Sequence, residues 1–350
     1  MKREPIQVDG WRRLAVLLPN WLGDAVMAEP SLTALHQDFP NLEIIGFGRP
    51  AAVAALSGQC GMDSLHVLED RGMLGPLRAA RDIRAFDPDA ILILRGSFRS
   101  ALVARLAGCP IRIGTASDGR GFLLSHSLET SPKARPRPTT ALYAEIVEAM
   151  GITAPPRPPS ITLLGTEADA ARALLAGLDR PILGVVPGGS KLSKRWPPDR
   201  FAAAIQGLGG SVGSCVLLGS PEELEVLREI RRRCDTDRHP PVRNLAENGL
   251  SLETLRGAVA SCDVLLGNDT GPRHLAIATG TPTVALFGPT DHRWTLIPDA
   301  DERFLLAEPF LDDDHIADRH PGTCRIDRIS VGDVIHAVKT TLESSVSLRP

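Results

Sequence analysis

The sequence lacks the marks of several common protein classes. Its six cysteines include no CxxC pair and no Cys/His cluster, which argues against a disulfide framework or a zinc site and fits a reducing compartment. No stretch approaches the ~18 consecutive apolar residues of a membrane-spanning helix. The formal net charge of −3 gives no general attraction to nucleic acid or to an anionic membrane. Any contact of that kind must therefore be local.

The amino terminus places basic residues before an apolar run, as a secretory signal would. Pro19, Asn20 and Asp24 interrupt that run too early for the apolar region of a signal peptide. We therefore expect a cytoplasmic protein.

What the sequence does contain is a series of short apolar runs with few polar interruptions. Such runs are typical of parallel strands that helices cover on both faces. Amphipathic stretches between them, such as RFAAAIQGL and PEELEVLREIRRR, predict helices, so strand and helix alternate in a doubly wound α/β protein. The runs are RLAVLLP (13–19), LEIIGF (42–47), AILILRG (90–96), PILGVVPG (181–188), SCVLLGS (214–220), DVLLGND (263–269) and PTVALFGP (282–289).

A proline-rich break divides this series into two halves. In GITAPPRPPSITLL (151–164), four prolines among residues 155–159 preclude a helix and predict a stiff linker. A chain of 350 residues can bury two cores, so we place the boundary near residue 155 and expect domains 1–155 and 156–350. One continuous domain is the alternative.

Ligands of open parallel sheets bind beyond the carboxyl ends of the strands, and the segment VVPGGSKLSKRWP (185–197) leaves a strand at such an end. Its two glycines would let backbone N–H groups approach an anion, while Ser190 adds a hydroxyl and Lys191 and Lys194 add charge. The pattern indicates a phosphate-binding loop, although it is not a Walker loop. A basic surface loop is the alternative.

Two further strand exits in the second half carry polar residues. In GNDTGPRHLAIATGTP (267–282), Pro272 suits a first helical turn and Asp269 or Thr270 can cap it, so free N–H groups would meet a diphosphate. An ordinary cap would leave His274 without a role. In LLGSPEELEV (217–226), two adjacent glutamates follow the turn, where a carboxylate can accept ribose hydroxyls or merely stabilise the helix.

Two features of the first half also point to function. In NWLGDAVMAEPSL (20–32), Asp24 follows Gly23 where the first strand gives way to a helix, and a structural N-cap is the alternative reading. Between Arg95 and Arg137, eight basic residues stand against two acids, which predicts a docking surface for an anionic partner, with solvated charge as the alternative. The eight are Arg95, Arg99, Arg105, Arg112, Arg120, Lys133, Arg135 and Arg137.

Other motifs are weak. Asp87 and Asp89 of FDPDAILIL resemble a metal-binding DxD but precede their strand, and LDDDH (311–315) is interpreted as a charged loop, so no metal site is expected. GFGRPA (46–51) is a faint echo of the dinucleotide fingerprint, and its Pro50 fits a helix start equally well.

Together, NWLGDAVMAEPSL, SKRWP and NDTGPRHLAIATGTPTVALFGPT resemble the glycosyltransferase family 9 heptosyltransferases. The resemblance runs from about residue 13 to residue 340 and includes CRIDRISVGDVIHAV. It implies a GT-B fold, in which two Rossmann-like domains face a cleft, the first binding the acceptor and the second the donor. It further implies an inverting, metal-independent transfer of L-glycero-D-manno-heptose from ADP-heptose to the lipopolysaccharide inner core, without a cofactor.

Several alternatives stay open beside this interpretation. The second core heptose is the expected product, and the first heptose, another nucleotide sugar, or a protein or surface glycan as acceptor are the alternatives within the fold. A nucleotide-binding protein without catalysis and an NAD-type oxidoreductase are the alternatives outside it. The implied acceptor is anionic and lies at the inner face of the inner membrane, so peripheral contact there is a further expectation.

The resemblance also assigns roles to single positions. Asp24 falls on the catalytic base. The donor-binding positions of the family fall on Ser190, Lys194, Glu222 (with Glu223 as the alternative), Asp269, Thr270, Gly271 and His274. Arg95, Arg99 and Arg120 are the candidates for acceptor binding. One departure is Gly189, where a second small hydroxyl residue is expected, so a backbone group would make that diphosphate contact.

Overall fold

Parallel strands dominate the architecture because most of the apolar runs are too short and too uniformly buried for any other element. The computed structural model describes residues 5–129, 136–155, 157–234, 240–307, 311, 315–320 and 322–347. The chain divides into unit 1, Met1–Pro159 with Leu296–Pro298, and unit 2, Ser160–Thr295 with Asp299–Pro350. Each unit holds one six-stranded sheet, and the predicted doubly wound α/β class is confirmed.

Unit 1 arranges its strands in the order β3-β2-β1-β4-β5-β6, all parallel. The central strand β1 pairs Leu14 with Ile44 on one side and with Ala90 on the other, and its residues from Leu14 onward are fully buried. The strands are β1 Arg13–Leu17, β2 Glu43–Gly48, β3 Ser64–Val67, β4 Ala90–Ile93, β5 Ile111–Thr115 and β6 His126–Leu128. The helices are α1 Leu22–Met27, α2 Glu29–Asp38, α3 Pro50–Leu56, α4 Gly75–Phe86, α5 Phe98–Leu106 and α6 Thr139–Glu148.

Unit 2 repeats this topology with the order β12-β11-β10-β7-β8-β9. The strands are β7 Ile182–Val186, β8 Ser214–Leu217, β9 Val242–Asn244, β10 Val264–Asn268, β11 Thr283–Phe287 and β12 Glu302–Leu306. The helices are α7 Gly165–Leu174, α8 Pro198–Gly207, α9 Leu224–Cys234, α10 Leu252–Ala260, α11 Gly271–Thr279 and α12 Val331–Ser347. In both units the strand order reverses beside the first strand, and such a switch point is where open α/β sheets bind ligands.

The proline-rich segment is tied down by one arginine. Arg157 donates from both terminal nitrogens to the carboxylate of Glu29, at 2.8 Å each, and that carboxylate is buried in α2. The hydroxyl of Thr33 donates to the same carboxylate at 2.6 Å. Because an unpaired charge would be costly at this depth, Arg157 is a structural residue of unit 1.

All six cysteines are free and buried. Burial raises the pKa of each thiol, to about 12 for Cys60 and Cys262 and to about 11 for Cys234.

Among the helices of the described residues, none is both long enough and apolar enough to cross a membrane.

Candidate functional site

The loop that leaves β7 in unit 2 is held by a side chain that the sequence did not single out. Asn268, the last residue of β10, is fully buried, and its Nδ2 donates to the carbonyls of Pro187 at 2.8 Å and Gly188 at 3.0 Å. Its Oδ1 accepts the backbone N–H of Trp196 at 3.1 Å. One amide therefore fixes both ends of the segment 187–196, here named the glycine loop, at the switch point between β7 and β10.

Trp196 anchors the far end of the glycine loop in the core. Its ring is buried, packs edge-on against Phe201 at 4.9 Å between centroids, and donates Nε1–H to the carbonyl of Ile329 at 3.1 Å. The tryptophan of the SKRWP motif thus has a packing role, which its sequence neighbours alone did not reveal.

The glycine loop presents the predicted hydroxyl and lysine on its outer part. Ser190 is exposed, and Lys194 is half-buried at the end of a short 3-10 helix, Leu192–Lys194. Arg195 donates Nε–H to the carbonyl of Gly189 at 2.9 Å, which braces the turn. The structure therefore brings Ser190 and Lys194 together on one loop, as the sequence predicts, and their contacts with a donor stay a prediction.

A carboxylate lies directly against this loop, and it belongs to Glu223. Its Oε1 accepts the N–H of Gly189 at 3.0 Å, and its Oε2 accepts the N–H of Ser220 at 2.9 Å. A Cβ on Gly188 would lie 1.8 Å from Glu223 Oε1, so only glycine permits this approach. Glu222 is instead fully exposed. Of the two adjacent glutamates, Glu223, the alternative, is therefore the one whose carboxylate lies on the loop, and the ribose contact stays a prediction.

Helix α11 begins where β10 ends, at the same switch point. Gly271 is its first residue, and the hydroxyl of Thr270 donates to the carbonyl of Asn268 at 3.3 Å. Thr270 occupies the N-cap position, which is one of the two expected from the sequence, but its side chain makes no capping hydrogen bond. The first turn, with the N–H of Gly271, is thus placed next to the glycine loop, because both are joined to Asn268.

Asp269 is turned inward to a buried arginine that the sequence reasoning missed. Its carboxylate accepts Arg273 Nη1–H at 2.9 Å and the hydroxyl of Thr295 at 3.2 Å. Arg273 is fully buried, also pairs with Glu302 on β12, where Nη2 and Oε2 are 2.6 Å apart, and lies 5.0 Å over the ring of Phe287. Asp269 therefore positions α11 through Arg273. In the sequence, the signal for this buried ion pair was an arginine in a mostly apolar helix.

His274 is buried and neutral. Burial, with the charge of Arg273 as a second cause, lowers its pKa from 6.5 to about 3. Its Nε2 lies 3.9 Å from Asp269 Oδ1, and its Nδ1 has no hydrogen-bond partner among the described residues. A neutral imidazole with one unsatisfied nitrogen can hydrogen-bond a ligand but cannot supply a positive charge to a phosphate.

The predicted base in unit 1 occupies the corresponding switch point. Asp24 is the third residue of α1, which follows β1, and the N-cap position belongs to Trp21, so the N-cap reading of Asp24 is wrong. Asp24 is half-buried. Burial raises the pKa of the Tyr143 hydroxyl on α6, and the negative charge of Asp24 raises it further. The helix dipole favours a negative charge in the first turn, and a carboxylate is a group that can act as a proton acceptor.

Two of the three predicted acceptor-binding arginines donate hydrogen bonds to backbone carbonyls. Arg120 is buried and donates to the carbonyls of Thr115 at 2.8 Å and Ser97 at 3.1 Å. Arg99 is exposed, but its Nη1 donates to the carbonyls of Asp70 at 2.6 Å and Gly72 at 3.0 Å. Arg120 is therefore corrected from a docking or solvated charge to a residue that fixes loops, while Arg99 is exposed but already bound to backbone.

Arg95, which follows β4, is also buried, yet it retains an unsatisfied donor. It pairs with Asp70 at 3.1 Å and donates Nε–H to Asn20 Oδ1 at 2.7 Å, while its Nη1 has no partner among the described residues. Nε of Arg49, at the start of α3, is likewise buried and unsatisfied there. Burial lowers the pKa of Arg95 and the charge of Arg49 acts in the same direction, while the carboxylate of Asp70 opposes both.

The remaining motifs have structural explanations or fall outside the described residues. Asp89 lies at the amino edge of the sheet, as predicted, and accepts the N–H groups of Arg12 at 2.7 Å and Arg13 at 2.9 Å. Gly46 of GFGRPA is a packing glycine, because a Cβ there would lie 2.4 Å from Leu65. Lys133 and Arg135 of the basic stretch, and residues 312–314 of LDDDH, lie outside the described residues.

Two Rossmann-like sheets of the same strand order, one carrying a glycine loop, a carboxylate and a helix amino terminus at its switch point, are the architecture of the GT-B fold. A family model, "Glycosyltransferase family 9 (heptosyltransferase)", matches residues 77–312. The chain belongs to this family, as the sequence motifs predicted, and it is an enzyme that transfers a glycosyl group.

Curated relatives and solved structures agree with this assignment. The chain is 29% identical over 303 residues to "Lipopolysaccharide heptosyltransferase 2" of Escherichia coli strain K12, covering 81% of this chain and 84% of that protein. It is 26% identical to "Lipooligosaccharide heptosyltransferase 2" of Haemophilus ducreyi, covering 81% and 85%. The structure of E. coli ADP-heptose lps heptosyltransferase II superposes with a TM-score of 0.81 at 24% identity, over 95% of this chain and 99% of that one.

Proposed function

We propose that this glycosyltransferase moves L-glycero-D-manno-heptose from ADP-heptose to the inner core of lipopolysaccharide, as the second heptose. The family description and the names of the relatives support heptose transfer and this acceptor class. The observation that carries the proposal is the assembly of the glycine loop, Glu223 and the start of α11 around Asn268. It offers backbone donors, a lysine and a carboxylate, which are the groups that a nucleoside diphosphate sugar requires.

In this proposal, unit 2 binds the donor through complementary groups. The hydroxyl of Ser190 contacts the diphosphate and Lys194 offsets its charge, while the N–H of Gly189 holds the carboxylate of Glu223. The first turn of α11, with Thr270 and Gly271, adds a favourable helix dipole. Glu223 is well placed to accept ribose hydroxyls, since its carboxylate already lies on the loop.

We propose a single displacement with inversion at the anomeric carbon. Asp24 takes the proton from an acceptor hydroxyl as that oxygen forms a bond to C1 of the heptose, on the face opposite ADP. The bond from C1 to the phosphate oxygen breaks, and ADP leaves with the electron pair. Lys194 and the loop N–H groups stabilise the negative charge that develops on ADP, which is the role that metal ions fill in other transferases.

The acceptor is expected to place an anionic group near Arg49 and Arg95. Both guanidinium groups retain buried N–H donors without partners among the described residues, and leaving such donors unsatisfied is costly. A phosphate or carboxylate of the core saccharide would satisfy them. The enzyme would then act at the inner face of the inner membrane, where this acceptor is assembled.

The test is incubation of the purified protein with ADP-heptose and a panel of truncated core acceptors, followed by mass spectrometry of the products. We expect one added heptose on an acceptor that already carries a first heptose, and none on a heptose-free acceptor. Addition to the heptose-free acceptor would identify the protein as the enzyme of the first heptose. Calorimetric titration that shows tighter binding of UDP than of ADP would overturn the proposed donor.

A further inference from the structure

Large apolar side chains are exposed at one edge of unit 1. Within the described part of the chain, ten such side chains are exposed, and seven belong to unit 1. All seven lie at the end of a strand or just after one, on the carboxyl edge of the sheet. They are Trp21 after β1, Val67 at the end of β3, Met73, Leu74 and Leu77 after β3, Phe98 after β4, and Phe122 after β5.

Hydrogen bonds and ring packing hold three of the loops that carry these side chains together. Arg99 links the start of α5 to the carbonyls of Asp70 and Gly72, directly before Met73. Arg120 binds the carbonyl of Ser97 from the loop after β5, and the rings of Phe98 and Phe122 lie 6.1 Å apart. The five side chains on these loops, here named the apolar rim, are Met73, Leu74, Leu77, Phe98 and Phe122.

The degree of exposure in the apolar rim is unusual for a folded protein. Met73 is 97% exposed and Phe122 is 76% exposed. Clustered exposed apolar groups on a monomer mark an interaction surface, whereas single ones carry no meaning. The rim therefore requires a partner that accepts apolar side chains.

The charge of the same loops indicates which partner. Among the exposed residues of segments 69–78, 95–99 and 117–122, three arginines (Arg71, Arg78 and Arg99) stand against two acids (Glu69 and Asp118), a small positive excess in a chain whose net charge is −3. Arg71 and Arg78 are exposed on either side of Met73 and Leu74. Apolar side chains flanked by arginines suit an anionic lipid surface. The apolar side chains insert at the boundary between headgroups and acyl chains, and the arginines pair with the anionic headgroups.

We propose that the apolar rim is an interfacial docking surface that inserts into an anionic phospholipid leaflet. This inference rests on the proposed function, because an acceptor embedded in a membrane must be met at the membrane surface. The helix that carries Asp24 begins on the same carboxyl edge, so docking through the rim directs the catalytic edge of unit 1 toward the lipid.

Co-sedimentation with vesicles of phosphatidylethanolamine and phosphatidylglycerol tests this surface. We expect the wild-type protein to bind these vesicles and to bind phosphatidylcholine vesicles weakly. The variants Met73→Ser/Leu74→Ser and Phe98→Ser/Phe122→Ser should each lower the partition coefficient about tenfold, since each removes two inserting side chains. The matched control is Leu164→Ser/Leu252→Ser, two exposed leucines of unit 2, which should leave the partition coefficient unchanged.

Activity on two forms of the acceptor separates this inference from the proposed function. The rim variants should keep wild-type turnover on a deacylated, water-soluble acceptor and show a raised KM on vesicle-embedded acceptor. If the wild type transfers heptose to the soluble acceptor but ignores the anionic vesicles, docking is overturned and the function stands. If it binds vesicles but modifies no core acceptor, the function is overturned and docking stands. A dimer in solution that the rim variants convert to monomer would show that a second copy covers the rim, and would overturn the lipid assignment.

Discussion

Glu223 and Gly189, 34 residues apart, are joined by a hydrogen bond of 3.0 Å from the glycine N–H to the carboxylate. This contact fixes a carboxylate against the glycine loop before any ligand arrives. The neighbouring Glu222 is exposed. Substituting each glutamate in turn therefore compares a carboxylate held on the glycine loop with one that is not.

Glu223→Gln should weaken ADP binding about tenfold, because it replaces charge-assisted hydrogen bonds by neutral ones. Glu222→Gln is the matched control, and we expect its ADP Kd to equal that of the wild type. Isothermal titration calorimetry with ADP measures both. The reverse order of effects would return the ribose contact to Glu222.

Asp24→Asn should lower kcat by roughly 10²–10⁴-fold, since the amide cannot take a proton from the acceptor hydroxyl. The ADP Kd should be nearly unchanged, because no donor contact is assigned to Asp24. Steady-state kinetics and calorimetry provide the two readouts, with Asp38→Asn on α2 as a control. A variant that loses ADP affinity but retains turnover would contradict the assignment as base.

Asn268→Ala should destabilise unit 2 by about 1–3 kcal/mol, because the buried N–H of Trp196 and two carbonyls lose their partner. The donor KM should also rise, since the glycine loop loses its shared anchor. Asn248→Ala, which removes a side-chain bond to the carbonyl of Asn244, is the control for stability without a loop effect. Urea unfolding and kinetics measure the two quantities, and an unchanged donor KM in Asn268→Ala would remove the loop-positioning role.

Arg273→Met should cost about 3–5 kcal/mol, because it leaves the buried carboxylates of Asp269 and Glu302 without their cation. Adding Glu302→Gln to that variant should restore part of the loss by removing one of the two charges. Chemical denaturation of the single and double variants is the measurement. Equal stability of the two variants would show that Glu302 does not depend on Arg273.

The buried His274 should make stability depend on pH. Its folded pKa of about 3 lies below the ordinary value of 6.5, so the unfolded chain binds the proton more readily. Stability from this group is therefore full above pH 6.5 and falls by at most about 1.4 kcal/mol per pH unit as pH drops toward 3. Urea unfolding of wild type and His274→Gln at pH 7 and pH 5 should show a smaller pH loss in the variant. Parallel losses would place the titrating group elsewhere.

All interior strands except β5 were predictable from the sequence, and the edge strands were not. Seven apolar runs correspond to strands β1, β2, β4, β7, β8, β10 and β11. Strands β3, β6, β9 and β12 lie at the sheet edges, where partial exposure permits polar residues and breaks the apolar run. In β5, the polar Arg112 has the same effect. Continuous apolar runs report burial on both faces, so they do not reveal edge strands.

The position of a site residue was predictable where a sequence motif places it on a particular loop. It was less predictable where the folded structure decides which of two adjacent residues reaches the loop. Ser190 and Lys194 lie on the loop that their glycines indicated. Glu222 and Glu223 are chemically equivalent in sequence, and only the turn at Ser220 decides which carboxylate reaches Gly189. The buried roles of Asn268 and Arg273 depend on partners from distant strands, which spacing along the chain does not encode.

The burial of all six thiols makes this protein suited to site-specific fluorescent labelling. A maleimide reacts with an exposed thiolate, and every native thiol is buried and has a raised pKa. A cysteine introduced as Met73→Cys or Phe122→Cys should therefore carry the only dye on the folded chain, without prior removal of native cysteines. An environment-sensitive fluorophore at either position would report the polarity that the apolar rim meets.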